Sequence, residues 1–99
     1  MAVLSDKHYV GEVGTELIVN CGKDLTGAAS IKMSVRKPNG CVVEWVAEQV
    51  FQNKQAMRYI LQDGDFDVAG EYKLQAVVDL GGWIGRGRTS TFLVYEKFD

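Results

Sequence analysis

Three aspartates, Asp63, Asp65 and Asp67, alternate with other residues in the spacing that begins a calcium-binding EF-hand loop. Such a loop also needs a glycine at its sixth position, for the sharp turn, and a glutamate at its twelfth, to complete the coordination shell. Here those positions hold Val68 and Leu74, so we reject an EF-hand. A looser calcium site stays open as an alternative, but we favour a polar turn in which the aspartates hydrogen-bond to nearby backbone.

The pattern of possible nucleophiles and bases gives little support for catalysis. His8 is the only histidine, and neither a serine nor a cysteine forms a local motif with it. No Cys-x-x-Cys spacing typical of a metal site occurs either. We interpret His8 as an ordinary residue of a first strand. We therefore predict that the protein is not an enzyme and uses neither a cofactor nor a metal ion.

The two cysteines, Cys21 and Cys41, are too few for a disulfide scaffold. The first seven residues lack the basic and then apolar pattern of a secretory signal, so we expect a reducing compartment. We predict that both thiols are reduced and buried, where they act as small apolar side chains. A Cys21–Cys41 bridge and a reactive thiol are the alternatives.

Residues 80–88, which we call the glycine-rich segment, combine four glycines, two arginines and an apolar pair. Phosphate-binding glycines lead directly into a helix, and no helix is predicted after this segment, so we exclude a nucleotide site. Trp and Arg are enriched at the energetic centres of protein–protein interfaces. We place the segment on a hairpin loop and predict that Trp83, Ile84, Arg86 and Arg88 contact a protein partner. Alternatively, Trp83 folds back onto the domain and the arginines are solvated.

The composition is that of one small globular domain spanning residues 1–99. Hydrophobic residues make up 46% of the chain and charged residues 24%, which is too apolar for a disordered chain. The net charge of −2 gives no overall basic surface for nucleic acid or an anionic membrane. No apolar run reaches the ~18 residues of a membrane-spanning helix. We expect neither nucleic acid nor a membrane as a partner.

Regularly spaced glycines and turn clusters separate short runs of alternating polar and apolar residues, which is typical of an all-β sandwich or barrel. We predict an immunoglobulin-like β-sandwich of about seven antiparallel strands. A helix through residues 48–61 is the competing interpretation, although its apolar positions fit helical spacing only loosely. The predicted strands are residues 8–13, 15–21, 31–36, 41–48, 57–61, 72–78 and 89–97.

Two local patterns indicate how these strands are connected. Lys37-Pro38-Asn39-Gly40 is the strongest turn signal, because proline presets the φ of a central turn position and glycine adopts dihedrals closed to other residues. We therefore predict a hairpin there. Tyr72 begins a strand after a corner that contains Gly70, as in a tyrosine corner, where the buried phenol hydrogen-bonds to backbone a few residues upstream. We predict that Tyr72, Leu74, Ala76 and Val78 point inward.

Several turn and strand motifs occur along the chain: GKDLTGA (22–28), KPNG (37–40), EW (44–45), DGDFDVAGEY (63–72) and FLV (92–94). Taken together, these motifs resemble the small immunoglobulin-like domains of tailed-phage virions, such as the N-terminal domain of phage baseplate upper proteins. The resemblance covers about residues 15–95. It implies a virion component that is assembled in bacterial cytoplasm.

The chain departs from antibody-type domains at two positions. The residue two places after Tyr72 is Leu74, so the usual inter-sheet disulfide cannot form. Trp45 lies too far after Cys21 to be the usual core tryptophan, and its facing is left open. These departures do not change the predicted sandwich.

From the fold and the resemblance, we expect a structural or assembly protein of a phage or prophage particle, in the tail, baseplate, head–tail region or capsid surface. It would contact other virion proteins in many copies through a loop end or an edge strand. The alternative function is an adhesion module that binds a carbohydrate on a host surface, with Trp45 or Trp83 as a stacking platform. A hydrolase is a third and remote reading.

Overall fold

A computed structural model describes residues 7–98, which form nine β-strands and no helix. The all-β prediction is confirmed, with two short strands, β5 and β8, beyond the predicted seven. The competing helix through residues 48–61 is wrong, since that stretch forms an antiparallel pair of strands. The strands are β1 His8–Tyr9, β2 Glu16–Asn20, β3 Ser30–Arg36, β4 Val42–Val46, β5 Glu48–Val50, β6 Asn53–Ile60, β7 Gly70–Asp79, β8 Ile84–Arg86 and β9 Ser90–Tyr95.

The strands form two sheets packed as a sandwich. The large sheet has the order β1-β9-β7-β3-β4, with β8 also paired to β7, and the small sheet has the order β2-β6-β5. This is the order of an immunoglobulin sandwich, in which strands B, E and D face strands G, F, C and C′. The first strand lies at a sheet edge, is shorter than predicted and pairs with β9 in parallel.

Alternation along each strand decides which side chains enter the core. In β7, Tyr72, Leu74, Ala76 and Val78 are buried, as predicted, because successive side chains of a strand point to opposite faces. The same rule buries Met33 and Val35 in β3 and Phe92 and Val94 in β9.

Aromatic rings fill the space between the sheets. The Phe66 ring lies 5.2 Å from Tyr72 and 5.8 Å from Phe92, centroid to centroid. Trp45 is only 4% exposed and stacks on Tyr59 at 4.8 Å, which settles its facing. Burying each such large apolar side chain contributes about 1.5–3 kcal/mol. The interior is therefore occupied by packed side chains, and the concavities described below lie on the surface.

The predicted hairpin and tyrosine corner are both present. At the hairpin, the Gly40 amide donates to the Lys37 carbonyl at 2.9 Å, and Gly40 has a φ of 88° that favours glycine. At the corner, the Tyr72 hydroxyl donates to the Val68 carbonyl at 2.7 Å. Burial raises the pKa of this phenol, so it keeps its proton and remains a donor.

The prediction that both cysteines are buried is wrong. Both thiols are free, which also rules out the alternative Cys21–Cys41 bridge in this structure. Cys21 is half-buried after β2, and burial raises the pKa of its thiol. Cys41 is exposed because it directly follows the β3–β4 turn, where its amide hydrogen-bonds to the Asn39 side chain at 3.0 Å.

Candidate interaction surface

The face of the large sheet that points away from the small sheet, which we call the outer face, presents several cationic side chains. Its residues follow from the same alternation that builds the core: positions between the buried ones point outward. In β3 these are Lys32, Ser34 and Arg36, and in β7 they include Lys73, Gln75 and Val77. Strand β4 adds Val42, Glu44 and Val46 at one edge.

An open concavity of about 340 Å³ lies on this face, and we call it the cationic groove. Three of its lining residues are cations, which come from three neighbouring strands, and none is a carboxylate. The remaining lining residues provide two hydroxyls, one amide and one valine. The complete lining is Ser34, Arg36, Val42, Lys73, Gln75, Arg86 and Thr89.

Strand register brings these cations together. Arg36 and Lys73 are direct cross-strand partners in the β3–β7 ladder, and Val77 pairs with Arg86 in the β7–β8 ladder. None of the three cations makes an ion pair with a described residue. Like charges directly opposite each other destabilise a sheet, and no ion pair with a described residue offsets this repulsion between Arg36 and Lys73.

Two carboxylates border the groove without lining it. Glu44 pairs with Ser34 across the β3–β4 ladder and lies 3.7 Å from the Lys32 ammonium. Glu71 lines a second concavity of about 270 Å³, which also includes Arg36 and Lys73. The positive charge is thus concentrated in the groove, although the whole chain has a net charge of −2.

Gln75 fixes the connection between β8 and β9 beside the groove. Its side-chain amide donates to the Gly87 carbonyl at 3.4 Å and to the Thr89 hydroxyl at 3.1 Å. The Gly87 amide donates in turn to the Ala76 carbonyl at 2.9 Å. These hydrogen bonds hold the chain on either side of Arg88 against β7 and keep Thr89 in the wall of the groove.

We predict from the sequence that the glycine-rich segment is a hairpin loop, but in the structure part of this segment is a strand. Residues 84–86 form β8, because the edge of β7 beyond β9 is open and accepts a short antiparallel partner. The turn before it closes with a hydrogen bond from the Leu80 amide to the Trp83 carbonyl at 2.8 Å.

Of the four predicted contact residues, Ile84 and Arg86 alternate along β8 and point to the same face, while the Trp83 ring lies over Gly85. Ile84 is 69% exposed and lies opposite Asp79, while Arg86 lines the cationic groove. Arg88 is exposed and lies outside the groove lining. Trp83, 46% exposed, instead covers Gly85, and it lines a smaller concavity with Cys21 and Ala76.

Trp83 is held from two sides. A Cβ at Gly85 would lie 2.0 Å from its ring, so the ring occupies the space that a side chain would need. The Lys23 ammonium lies 4.5 Å from the ring centroid, within cation–π distance. Trp83 therefore folds back onto the domain while keeping part of its ring accessible. Trp45, the other platform considered for a carbohydrate, is buried.

Two residues of the groove, Arg36 and Lys73, were missed by sequence reasoning. Both occupy outward positions of strands that were predicted correctly, so the alternation carried a signal that they share a face. Their direct pairing could not be predicted, since it depends on the register of two strands that are distant in sequence.

The aspartates of residues 63–67 belong to a polar turn, the interpretation favoured from the sequence. The Asp65 carboxylate accepts hydrogen bonds from the Tyr59 hydroxyl and the Gln62 amide, both at 2.7 Å. Burial and the Asp65 carboxylate together raise the pKa of Tyr59. Within residues 7–98, no group of three His, Cys, Asp or Glu side chains is placed to hold a metal ion.

His8 lies in β1, as predicted, and is 1% exposed between the rings of Phe66 and Phe92. Its Nδ1 is 3.3 Å from a Glu12 carboxylate oxygen. That carboxylate also accepts hydrogen bonds from the Tyr9 amide at 2.6 Å and the Thr15 hydroxyl at 2.8 Å. Burial raises the pKa of Glu12, but these hydrogen bonds outweigh it and the net shift is downward. The predicted absence of a signal concerns residues 1–7, of which all but Lys7 lie outside the described residues.

No family model matches the chain, and no curated protein matches it significantly. The described residues contain no helix long and apolar enough to cross a membrane. Because an immunoglobulin-like sandwich supports many unrelated functions, a function must be argued from the surface chemistry.

Proposed function

We propose that the protein is a non-enzymatic assembly module of a phage or prophage particle, located in the tail, baseplate, head–tail region or capsid surface. In this role it contacts other virion proteins in many copies. The resemblance of its turn motifs to virion immunoglobulin-like domains supports the assignment to a phage particle. The surface described above supports a function through protein–protein contacts.

The observation that carries the proposal is the exposed end of the β7–β8 hairpin. Ile84 is a large apolar side chain, 69% exposed, on a strand that also presents Arg86. An aliphatic residue beside an arginine, near a partly exposed tryptophan, is the residue mixture of a protein contact. The packed interior leaves the outside of the sandwich as the part that can recognise a partner.

A weak contact suffices in this role. When many identical copies occupy equivalent positions in a symmetric particle, each contact raises the effective concentration for the next one. A small domain with a modest interface can therefore be firmly retained in a particle.

The test uses an epitope-tagged chain expressed in a strain that encodes the protein and produces the particles. The wild-type chain should band with purified particles in a density gradient. An Ile84→Asp variant should stay largely in the soluble fraction, while a Phe51→Ser variant, changed at an exposed phenylalanine of the β5–β6 turn, should still band.

Circular dichroism and the unfolding midpoint establish that each variant is folded. Absence of the wild-type chain from the particles refutes the proposed function. Banding of the folded Ile84→Asp variant at the wild-type level refutes the hairpin as the contact site.

A further inference from the structure

We propose that the cationic groove binds an extended acidic segment of a neighbouring protein, with glutamate or aspartate side chains placed against Arg36, Lys73 and Arg86. This inference deepens the proposed function. It rests on that function in one respect, namely that the ligand belongs to a neighbouring protein. It adds a neighbouring site, which shares Arg86 with the exposed end of the β7–β8 hairpin, and names the chemistry of its ligand.

The uncompensated charge of the groove is the first reason. Arg36 and Lys73 lie directly opposite each other on adjacent strands, and Arg86 lines the same concavity from a third strand. No described carboxylate pairs with any of them, although the domain carries more acidic than basic residues. An anion placed between them would replace a like-charge repulsion with charge-assisted hydrogen bonds.

The other lining groups fit a peptide. The hydroxyls of Ser34 and Thr89 can hydrogen-bond to carboxylate or backbone groups, and Val42, 58% exposed, offers an apolar contact for an intervening side chain. The volume of about 340 Å³ falls at the lower end of the range for ligand sites.

The borders of the groove argue against a nucleic acid. Glu44 and Glu71 flank the groove on the outer face. A nucleic acid has a negative phosphate at every nucleotide, so its phosphates just beyond the groove would be repelled by these glutamates. An acidic peptide can present apolar or neutral residues at those places. Charge complementarity therefore favours a short acidic stretch within a protein.

The test is fluorescence anisotropy with a fluorescein-labelled synthetic peptide in which glutamates are interspersed with valines. Its control is the same peptide with every Glu replaced by Gln. The acidic peptide should bind saturably, and more weakly as the salt concentration rises, whereas the Gln peptide should not bind. Equal binding of the two peptides, or no saturable binding of the acidic one, overturns the proposal.

Charge-reversed variants locate the site. Arg36→Glu and Lys73→Glu should each weaken peptide binding by about tenfold or more, because each replaces an attraction with a repulsion. Either variant creates an opposite-charge pair across the β3–β7 ladder, so both should remain folded. Lys54→Glu, an equal charge change at an exposed position of β6 in the other sheet, should change the affinity by no more than about twofold. An equal effect of Lys54→Glu and Lys73→Glu overturns the site.

Binding of inorganic phosphate is measured as well, to distinguish a peptide ligand from a free anion. Binding of phosphate by a protein that does not bind the acidic peptide overturns the assignment to a protein segment.

The experiments also distinguish failure of the groove proposal from failure of the proposed virion role. A chain that bands with particles but binds no peptide contradicts only the groove, and a chain that binds peptide but is absent from particles contradicts only the virion role.

Discussion

At the scale of single residues, the ion pair between Lys37 and Asp67 joins two turns that are thirty positions apart in the chain. The Lys37 ammonium lies 2.9 Å from an Asp67 oxygen and also donates to the Gly64 carbonyl at 3.3 Å. Lys37 is almost fully buried, whereas the Asp67 side chain is half exposed. The hydrogen bond from Lys37 lowers the pKa of Asp67.

This pair predicts a pH-dependent contribution to stability. Asp67→Asn should lower the free energy of unfolding near pH 7 by about 1 kcal/mol, a modest value because Asp67 is half exposed. The Asp67 pKa is lower in the folded state than in the unfolded state. Its contribution is therefore present above the unfolded value of about 4 and is lost as the pH falls through the folded value. Urea denaturation at several pH values should show the wild-type and variant stabilities converging in acid.

Asp63→Asn is the matched control, since it removes the same charge four residues away at a side chain that makes no ion pair with a described residue. It should change the stability near pH 7 by less than about 0.5 kcal/mol. A deficit of Asp67→Asn that stays constant from pH 7 to acid would contradict the account of this pair.

At the scale of elements, the glycine-rich segment shows how one missing Cβ positions a neighbouring ring. Gly85 lies in β8 opposite Val78, and its φ lies outside the left-handed region, so its backbone does not require glycine. Glycine is required at position 85 because the Trp83 ring occupies the space that a side chain at this position would fill.

Gly85→Ala should therefore expel the Trp83 ring with little backbone strain. Acrylamide should quench the tryptophan fluorescence more strongly in this variant, and the emission should move to longer wavelength, while the buried Trp45 contributes a constant background. The loss of the ring's contacts, including that with Lys23, should cost about 1 kcal/mol.

Gly87→Ala is the control for this substitution. A Cβ there would lie 3.6 Å from the Ala76 side chain, which is an ordinary contact. Quenching should stay at the wild-type level in Gly87→Ala. Unchanged quenching in Gly85→Ala would show that the Trp83 ring does not occupy this position.

The elements also show which features a sequence can predict. The turn at Pro38 and the corner at Tyr72 depend on residues within a few positions, and both were predicted correctly. Strand β8 was missed because Ile84 and its neighbours become a strand only by pairing with the free end of β7. The cationic groove was missed for a similar reason: each cation sits at an ordinary outward position, and only the register brings Arg36 opposite Lys73.

At the scale of the whole molecule, the two surfaces of the large sheet have separate roles. Its inner surface packs against the small sheet and buries the aromatic rings that hold the sandwich together. Its outer face contributes little to the core and carries Arg36, Lys73 and Arg86, which make no ion pair with a described residue, beside exposed aliphatic residues such as Val42 and Val46. A domain with a net charge of −2 thus presents one locally cationic surface, which suits recognition of an acidic neighbour.

An NMR titration tests most directly whether this outer face is the docking surface. The ¹⁵N-labelled protein is titrated with the glutamate-rich peptide, and shifts of the backbone amides are mapped onto the sheets. The account predicts that the largest shifts cluster at Ser34, Arg36, Lys73, Gln75 and Arg86, with the small sheet unaffected. Shifts centred on β2 and β6, or spread evenly over both sheets, would contradict it.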